Sequence, residues 1–227
     1  MDAKIPGLYI HIPFCIRKCG YCDFYSVTSR SAIPDYLEAL FKEMTMYRGD
    51  FDPFDTVYVG GGTPSLLSSE QGKAVLSEIR SNFDLAPDSE ITLEANPADL
   101  TLSFLESLRE IGVNRLNIGV QSFDQEILDF LGRRHSVAQG VSAIQDARQA
   151  GFRNLGVDLI YGVPGQQVTS WLETLDQAVG FEPEHLSCYQ LTVEPHTPLG
   201  KRYGQKEFSL PSEDLHKKSL PHSRQQT

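Results

Sequence analysis

Short β-branched and aromatic runs alternate with longer amphipathic stretches along most of this chain. The strand-like runs fall near Leu8–Ile12, Thr56–Val59, Glu90–Ala95, Arg115–Val120, Leu155–Ile160 and His185–Leu191. Between them, apolar residues recur at helical spacing over Pro34–Tyr47, Ser68–Phe83, Leu102–Ile111, Ser136–Ala150 and Val168–Val179. Local punctuation agrees with these spans. Ser68 with Gln71 reads as a capping box, Pro34 suits a first helical turn, and Gly112 and Gly151 stand just past helical runs.

Strand–helix–strand repetition with short connections predicts an α/β fold with a parallel sheet and right-handed crossovers. A chain of 227 residues is short for an eight-fold barrel with insertions. The expected architecture is therefore a partial (β/α)6 TIM-like barrel with its helices outside. Reactive groups in such folds belong at the C-terminal ends of the strands. The unusual residues gather there: Gly60-Gly61-Gly62 follow the second strand, Glu94 ends the third, Gln121 ends the fourth and Asp158 lies in the fifth. The pattern fails after about Pro198. The expected organisation is a core domain over residues 1–200 and a polar, poorly ordered tail over 201–227.

Composition narrows the function classes. With 40% hydrophobic and 22% charged residues the chain reads as globular. No apolar run approaches the roughly 20 residues that span a bilayer. The start carries no signal-peptide pattern. These features predict no transmembrane segment and a cytoplasmic location, an organellar one staying open. A net charge of −10 without a dominant Lys/Arg cluster argues against a nucleic-acid partner.

The cysteines change the picture. Cys15, Cys19 and Cys22 lie within eight residues at C-x3-C-x2-C spacing, and Cys188 stands far away. A secreted disulfide framework spreads paired cysteines along a small chain, which this is not. Three thiolates on one loop can each ligate one iron of a cubane and leave the fourth iron open. That open iron can take a small molecule's amine and carboxylate, such as methionine offers. Gly20 lets the backbone turn closely around such a cluster. On spacing alone the alternative is a Cys3His zinc site with His11 as fourth ligand. Structural zinc sites usually draw ligands from two separate pairs, which the chain lacks.

With Tyr21 before its last cysteine, this segment resembles the radical-SAM signature. Its surroundings resemble the oxygen-independent coproporphyrinogen III oxidases and their heme-chaperone relatives. The matching stretches are Tyr9–Phe24, Gly60–Ser65, Glu94–Pro97, Gly119–Phe123, Leu131–His135 and Asp158–Gln166, in order through most of residues 7–200. The resemblance implies a [4Fe–4S] cluster on Cys15, Cys19 and Cys22, with S-adenosylmethionine (SAM) at the open iron. It also implies one-electron cleavage of SAM to methionine and a 5′-deoxyadenosyl radical, with an electron donor such as flavodoxin or ferredoxin. It places Tyr21 beside the adenine, the backbone of Gly61, Gly62 and Thr63 at the methionine amine, and Glu94 on the ribose hydroxyls. Gln121, Arg133 and Asp158 match further SAM contacts, and Tyr9 and Thr192 match positions lining the same pocket.

Two functions compete within that family. One is heme binding and transfer to an acceptor protein; the other is oxidative decarboxylation of coproporphyrinogen III in porphyrin biosynthesis. The oxidase pattern has a further cysteine two residues past the last cluster ligand, where this chain has Phe24. The oxidases also carry a longer segment before the first strand. Both features favour the heme-chaperone branch. Members of that branch continue into a C-terminal region with a His-Asn motif implicated in heme handling, so the resemblance implies a C-terminally truncated chain. A last strand without its covering helix would fold poorly, and a non-functional remnant is the third reading. None of the six histidines is singled out as a heme ligand, and Cys188 is expected to be a buried strand residue.

Overall fold

A computed structural model describes residues 6–51 and 53–211. Six strands form one sheet in the order of the chain: β1 (Gly7–Ile12), β2 (Phe54–Gly61), β3 (Leu85–Ala95), β4 (Arg115–Gln121), β5 (Leu155–Tyr161) and β6 (His185–Gln190). Every neighbouring pair is parallel. The connections carry α1 (Ile33–Met46), α2 (Ser69–Asn82), α3 (Leu102–Glu110), α4 (Gln125–Leu131), α5 (Val137–Gln149) and α6 (Val168–Gly180). The expected partial barrel is the observed one, open between β1 and β6.

Side-chain alternation explains why the helices sit outside. Val57 and Val59, Ile91 and Leu93, Leu116, Ile118 and Val120, and Leu155, Val157 and Leu159 are all buried. They form one core with Leu37, Leu40, Val75, Ile79, Leu105, Leu108, Ile144 and Trp171 from the helices. The alternate positions, including Tyr58, Gly60, Glu94, Asn117, Gly119 and Asp158, belong to the other face, where polar groups meet. Successive strand residues point to opposite faces, so an apolar set on one face leaves a polar set on the other.

The helix boundaries follow their caps. Ser68 and Gln71 make the expected reciprocal capping box at α2, and Ser136 with Gln139 makes a second at α5. Gly112 and Gly151 take the positive φ expected past α3 and α5. Strand β3 starts at Leu85, five residues before the expected Glu90. Pro87 sits in this early stretch, beyond the Leu85 pairing with Phe54, where a break in register spares it a ladder bond.

Two helices lie outside the sequence expectation. α4 is seven residues long, too short for a periodic apolar stripe, and is capped by Asp124. α7 (Pro198–Gly204) begins inside the region expected to lose its pattern, with Thr197 as N-cap. Its Leu199 is buried and the Leu199 N–H donates to Gly20 O at 2.9 Å. Phe208 packs edge-on against Phe130, with ring centroids 5.2 Å apart. Residues 201–211 of the expected tail are thus tied to the core. The remainder of that tail, 212–227, lies outside the described residues.

Strand β6 is exposed along most of its length. Cys188 is exposed as well, so the expectation of a buried strand cysteine is corrected. The cause is positional: β6 is an edge strand, paired on one side only, to β5. Among the described residues no helix is long and apolar enough to cross a membrane.

Candidate functional site

The cysteine loop runs from the end of β1 and is pinned at several points. The Cys15 N–H donates to Val27 O at 3.0 Å, and the Val27 N–H donates to Pro13 O at 2.7 Å. The Gly20 N–H donates to Leu131 O at 3.2 Å, and Arg17 reaches the carbonyls of Gly132 and Arg133. Ile12 and Phe14 anchor the start of the loop in the core. The loop is therefore held by the backbone that follows α4, more than 110 residues away in sequence.

Each thiol has a donor beside it. Thr63 Oγ1 donates to Cys15 Sγ at 3.4 Å, Arg133 Nη1 to Cys19 Sγ at 3.4 Å, and the Phe24 backbone N–H to Cys22. Burial pushes the Cys22 thiol up, reinforced by the neighbouring cysteines. Among the described residues, no three His, Cys, Asp or Glu side chains converge to hold a single metal ion. His11 is turned to the hydroxyl of Tyr9 and the carbonyl of Tyr25. A cubane spreads its thiolates over separate irons and needs no such convergence on one ion.

Beside the loop, at the C-terminal ends of the strands, lies a cavity of about 450 Å³. It is lined by nine of the ten positions singled out for SAM: Tyr21, Gly61, Gly62, Thr63, Glu94, Gln121, Arg133, Asp158 and Thr192, with Cys22 at its edge. The tenth, Tyr9, is not in the lining. It is half exposed and stacks on Tyr58, ring centroids 6.1 Å apart. Tyr58 in turn donates to Glu94 Oε1 at 2.7 Å.

The glycine triplet is a steric requirement. A Cβ on Gly62 would stand 2.7 Å from Phe14 O, so only a glycine lets β2 close against the cysteine loop. Gly61 has φ +113°, and a Cβ there would meet the His11 ring at 2.7 Å. Its N–H donates to Glu94 Oε2 at 3.0 Å, and the Gly62 N–H donates to Ile12 O at 2.9 Å. These two donors are committed within the protein, which suits a segment facing an amine, itself a donor.

The electrostatics are those of a low-dielectric polar pocket. Burial raises the Glu94 carboxyl, while hydrogen bonds from Tyr58 and Gly61 oppose the shift. Burial likewise raises Asp158, opposed first by its bond from Asn117, whose Nδ2 donates to Oδ2 at 2.7 Å. Arg133 Nε is buried without a protein partner, and the Asp158 carboxyl has the Ser187 hydroxyl beside it as well as Asn117. A buried polar atom left unpaired is costly, and Arg133 Nε carries that cost at the pocket wall. Gln121 holds a left-handed φ of +68° where the β4–β5 register shifts. Such strain in a non-glycine residue collects where a side chain must be aimed.

Several contributors were not apparent in the sequence. Ser65, Asp99 and Arg134 form a buried polar group: Arg134 Nη2 pairs with Asp99 Oδ2 at 2.7 Å, and Ser65 donates to the same oxygen at 3.0 Å. Ser65 also accepts the Asn96 N–H at 3.0 Å. This network ties the GGGTPS, EANP and LGRRH segments together behind the pocket. Tyr58 and Asn117 orient the two pocket carboxylates. The available signal was polar residues at alternate positions of otherwise apolar strands.

A parallel partial barrel with a three-cysteine loop at its C-terminal rim and a polar pocket beside it defines a class of cluster-and-nucleoside proteins. Residues 9–178 match the family described as the Radical SAM superfamily, and the chain belongs to it. The family implies a [4Fe–4S] cluster and SAM as cofactors. The chain is similar to the heme chaperone HemW of Escherichia coli, 41% identical over 88% of this chain and 54% of that protein. It is also similar to HemW of Bacillus subtilis, 38% identical over 91% and 55%. It superposes on the solved structure of coproporphyrinogen III oxidase from Escherichia coli with TM-score 0.83 and 28% identity, covering 96% of this chain and 51% of that one. The chain spans about half the length of the curated relatives it matches.

Proposed function

We propose that this chain is the radical-SAM core of a heme chaperone, holding a [4Fe–4S] cluster on Cys15, Cys19 and Cys22 and SAM in the adjoining cavity. The donor beside each thiol carries this reading, together with the unpaired Arg133 Nε at the pocket wall. These residues fit the cofactors' chemistry: anionic thiolates meet donors, and a zwitterionic ligand finds both a carboxylate and a guanidinium. When bound, the cluster supplies single electrons to SAM.

The chain's own residues would bind and orient. Glu94, fixed by Tyr58 and Gly61, presents acceptor oxygens to hydroxyls. Arg133 offers a charged donor fork suited to a carboxylate. Tyr21 offers a ring face to the adenine, and Gln121 and Thr192 close the pocket wall. Tyr9 acts through Tyr58 on Glu94 and belongs to the outer support of the site.

Heme, and transfer of heme to an acceptor protein, come from the names of the relatives and from Phe24 standing where the oxidase pattern has cysteine. A flavodoxin or ferredoxin would supply electrons in the cytoplasm. The oxidase reading draws on the 0.83 superposition. Anaerobic reconstitution with iron and sulfide, followed by electron paramagnetic resonance with and without SAM, tests the core. A [4Fe–4S] signal that SAM perturbs, and that Cys19→Ala abolishes, is the expected result. Heme titration of the reconstituted protein then separates the branches: tight heme binding without decarboxylation of coproporphyrinogen III supports the chaperone. Decarboxylation supports the oxidase. A colourless protein with one zinc refutes both.

A further inference from the structure

We propose that Arg133 sets the reduction potential of the cluster by placing a fixed, buried positive charge on the thiolate of Cys19. This inference rests on the cluster assignment above and adds to it a role separate from SAM binding.

The three thiolates are not equivalent. Cys15 receives a neutral hydroxyl donor from Thr63, and Cys22 a neutral backbone N–H from Phe24. Cys19 alone receives a guanidinium, Arg133 Nη1 standing 3.4 Å from Sγ. The same nitrogen lies 3.4 Å from the Tyr21 hydroxyl, and Nη2 donates to Gly119 O at 2.7 Å. Three contacts in different directions hold the guanidinium plane against the sulfur. Gly119 is part of the device, because a Cβ there would lie 3.2 Å from Arg133 Nη2.

Reduction adds a negative charge to the cluster. A cation beside one ligand sulfur, in surroundings of low dielectric, stabilises the reduced state more than the oxidised one. Hydrogen bonds to cluster sulfurs act in the same direction and are one of the levers that set such potentials. A charged donor is about twice as strong as a neutral one. The ranking that follows is specific: loss of the Arg133 charge lowers the potential more than loss of the Thr63 hydroxyl.

The test is a potentiometric titration of the reconstituted full chain without SAM, followed by the paramagnetic signal of the reduced cluster. Iron and sulfide contents are matched for wild type, Arg133→Gln, Arg133→Lys and Thr63→Val. Omitting SAM removes any contribution of Arg133 to that ligand. Arg133→Gln is expected to make reduction more than tenfold less favourable, a fall of about 59 mV or more for one electron. Thr63→Val should shift in the same direction by less, and Arg133→Lys should lie between Arg133→Gln and wild type. Potentials unchanged within a full cluster complement, or a larger fall in Thr63→Val than in Arg133→Gln, overturn the proposal. If Arg133→Gln assembles no cluster, the equally neutral Arg133→Met decides: a wild-type potential there overturns the proposal and a lowered one upholds it. Absence of a cluster in the unaltered chain refutes the cluster assignment instead, so the two failures are distinguishable.

Discussion

Arg134 and Asp99 are 13% and 10% exposed and meet at 2.7 Å, so replacing Arg134 with methionine strands a carboxylate away from water. Methionine keeps the apolar stem of the side chain and removes the guanidinium with its charge and donors. Asp99 would retain the single bond from Ser65, which is itself committed to the Asn96 N–H. Breaking a buried pair from one side costs about 3–5 kcal/mol. An exposed pair would cost about 0–1 kcal/mol. With a urea slope of about 3 kcal/mol per molar, the midpoint of unfolding should fall by about 1–2 M. Adding Asp99→Asn to Arg134→Met removes the stranded charge and should recover most of that loss. The assay is a double-mutant cycle in urea followed by circular dichroism. A cost for Arg134→Met below about 1 kcal/mol, in the range of exposed pairs, would refute the reasoning. So would a double variant no more stable than the single one. Either would mean that the network behind the pocket is screened by solvent and does not hold the three motifs together.

Gly62→Ala should abolish iron incorporation, since its Cβ would press on the Phe14 backbone, whereas Gly180→Ala, where a Cβ meets nothing within 4 Å, should load normally; iron analysis after reconstitution reads both. Cys188→Ser should leave cluster content unchanged because Cys188 is an exposed residue of β6 outside the cysteine loop, while serine at Cys15, Cys19 or Cys22 should remove the visible absorbance. His135 is buried, with Nε2 2.9 Å from Val120 O, and burial together with Arg133 holds its pKa down to about 4. The unfolded chain therefore takes up this proton near pH 6.5 and the folded one only near 4, so stability falls as pH falls through that window. Between pH 7 and 4.5 the contribution lost is about 2–3 kcal/mol. His135→Gln should flatten this part of the profile in urea titrations, and an unchanged slope would refute it.

Much of the scaffold was legible because a parallel α/β unit repeats two periods that a sequence displays directly. Val57 and Val59, or Leu116, Ile118 and Val120, are apolar at alternate positions because only one strand face meets the helices. α4 escaped because seven residues carry too little periodicity. α7 escaped because Thr197 and Pro198 read as turn residues as readily as a cap and first turn. The exposure of Cys188 escaped because strand propensity says nothing of whether a neighbouring element covers the strand.

The site divides in the same way. The C-x3-C-x2-C spacing alone established that three thiols share one loop, and the ordered motifs established the family, because ligand count and backbone clearance are local properties. What only the tertiary structure decided is which donor faces which sulfur. Arg133 and Arg134 are adjacent and identical in type. Yet one is turned to Cys19 and the other to Asp99, because the residues following α4 meet the cysteine loop on one side and the end of β3 on the other. Tyr9 and Tyr21 are both aromatic and near the signature, yet Tyr21 lines the cavity while Tyr9 stacks outside it on Tyr58. Identity in sequence fixes what a side chain can do chemically; the direction in which it does so comes from contacts between segments 35 to 114 residues apart.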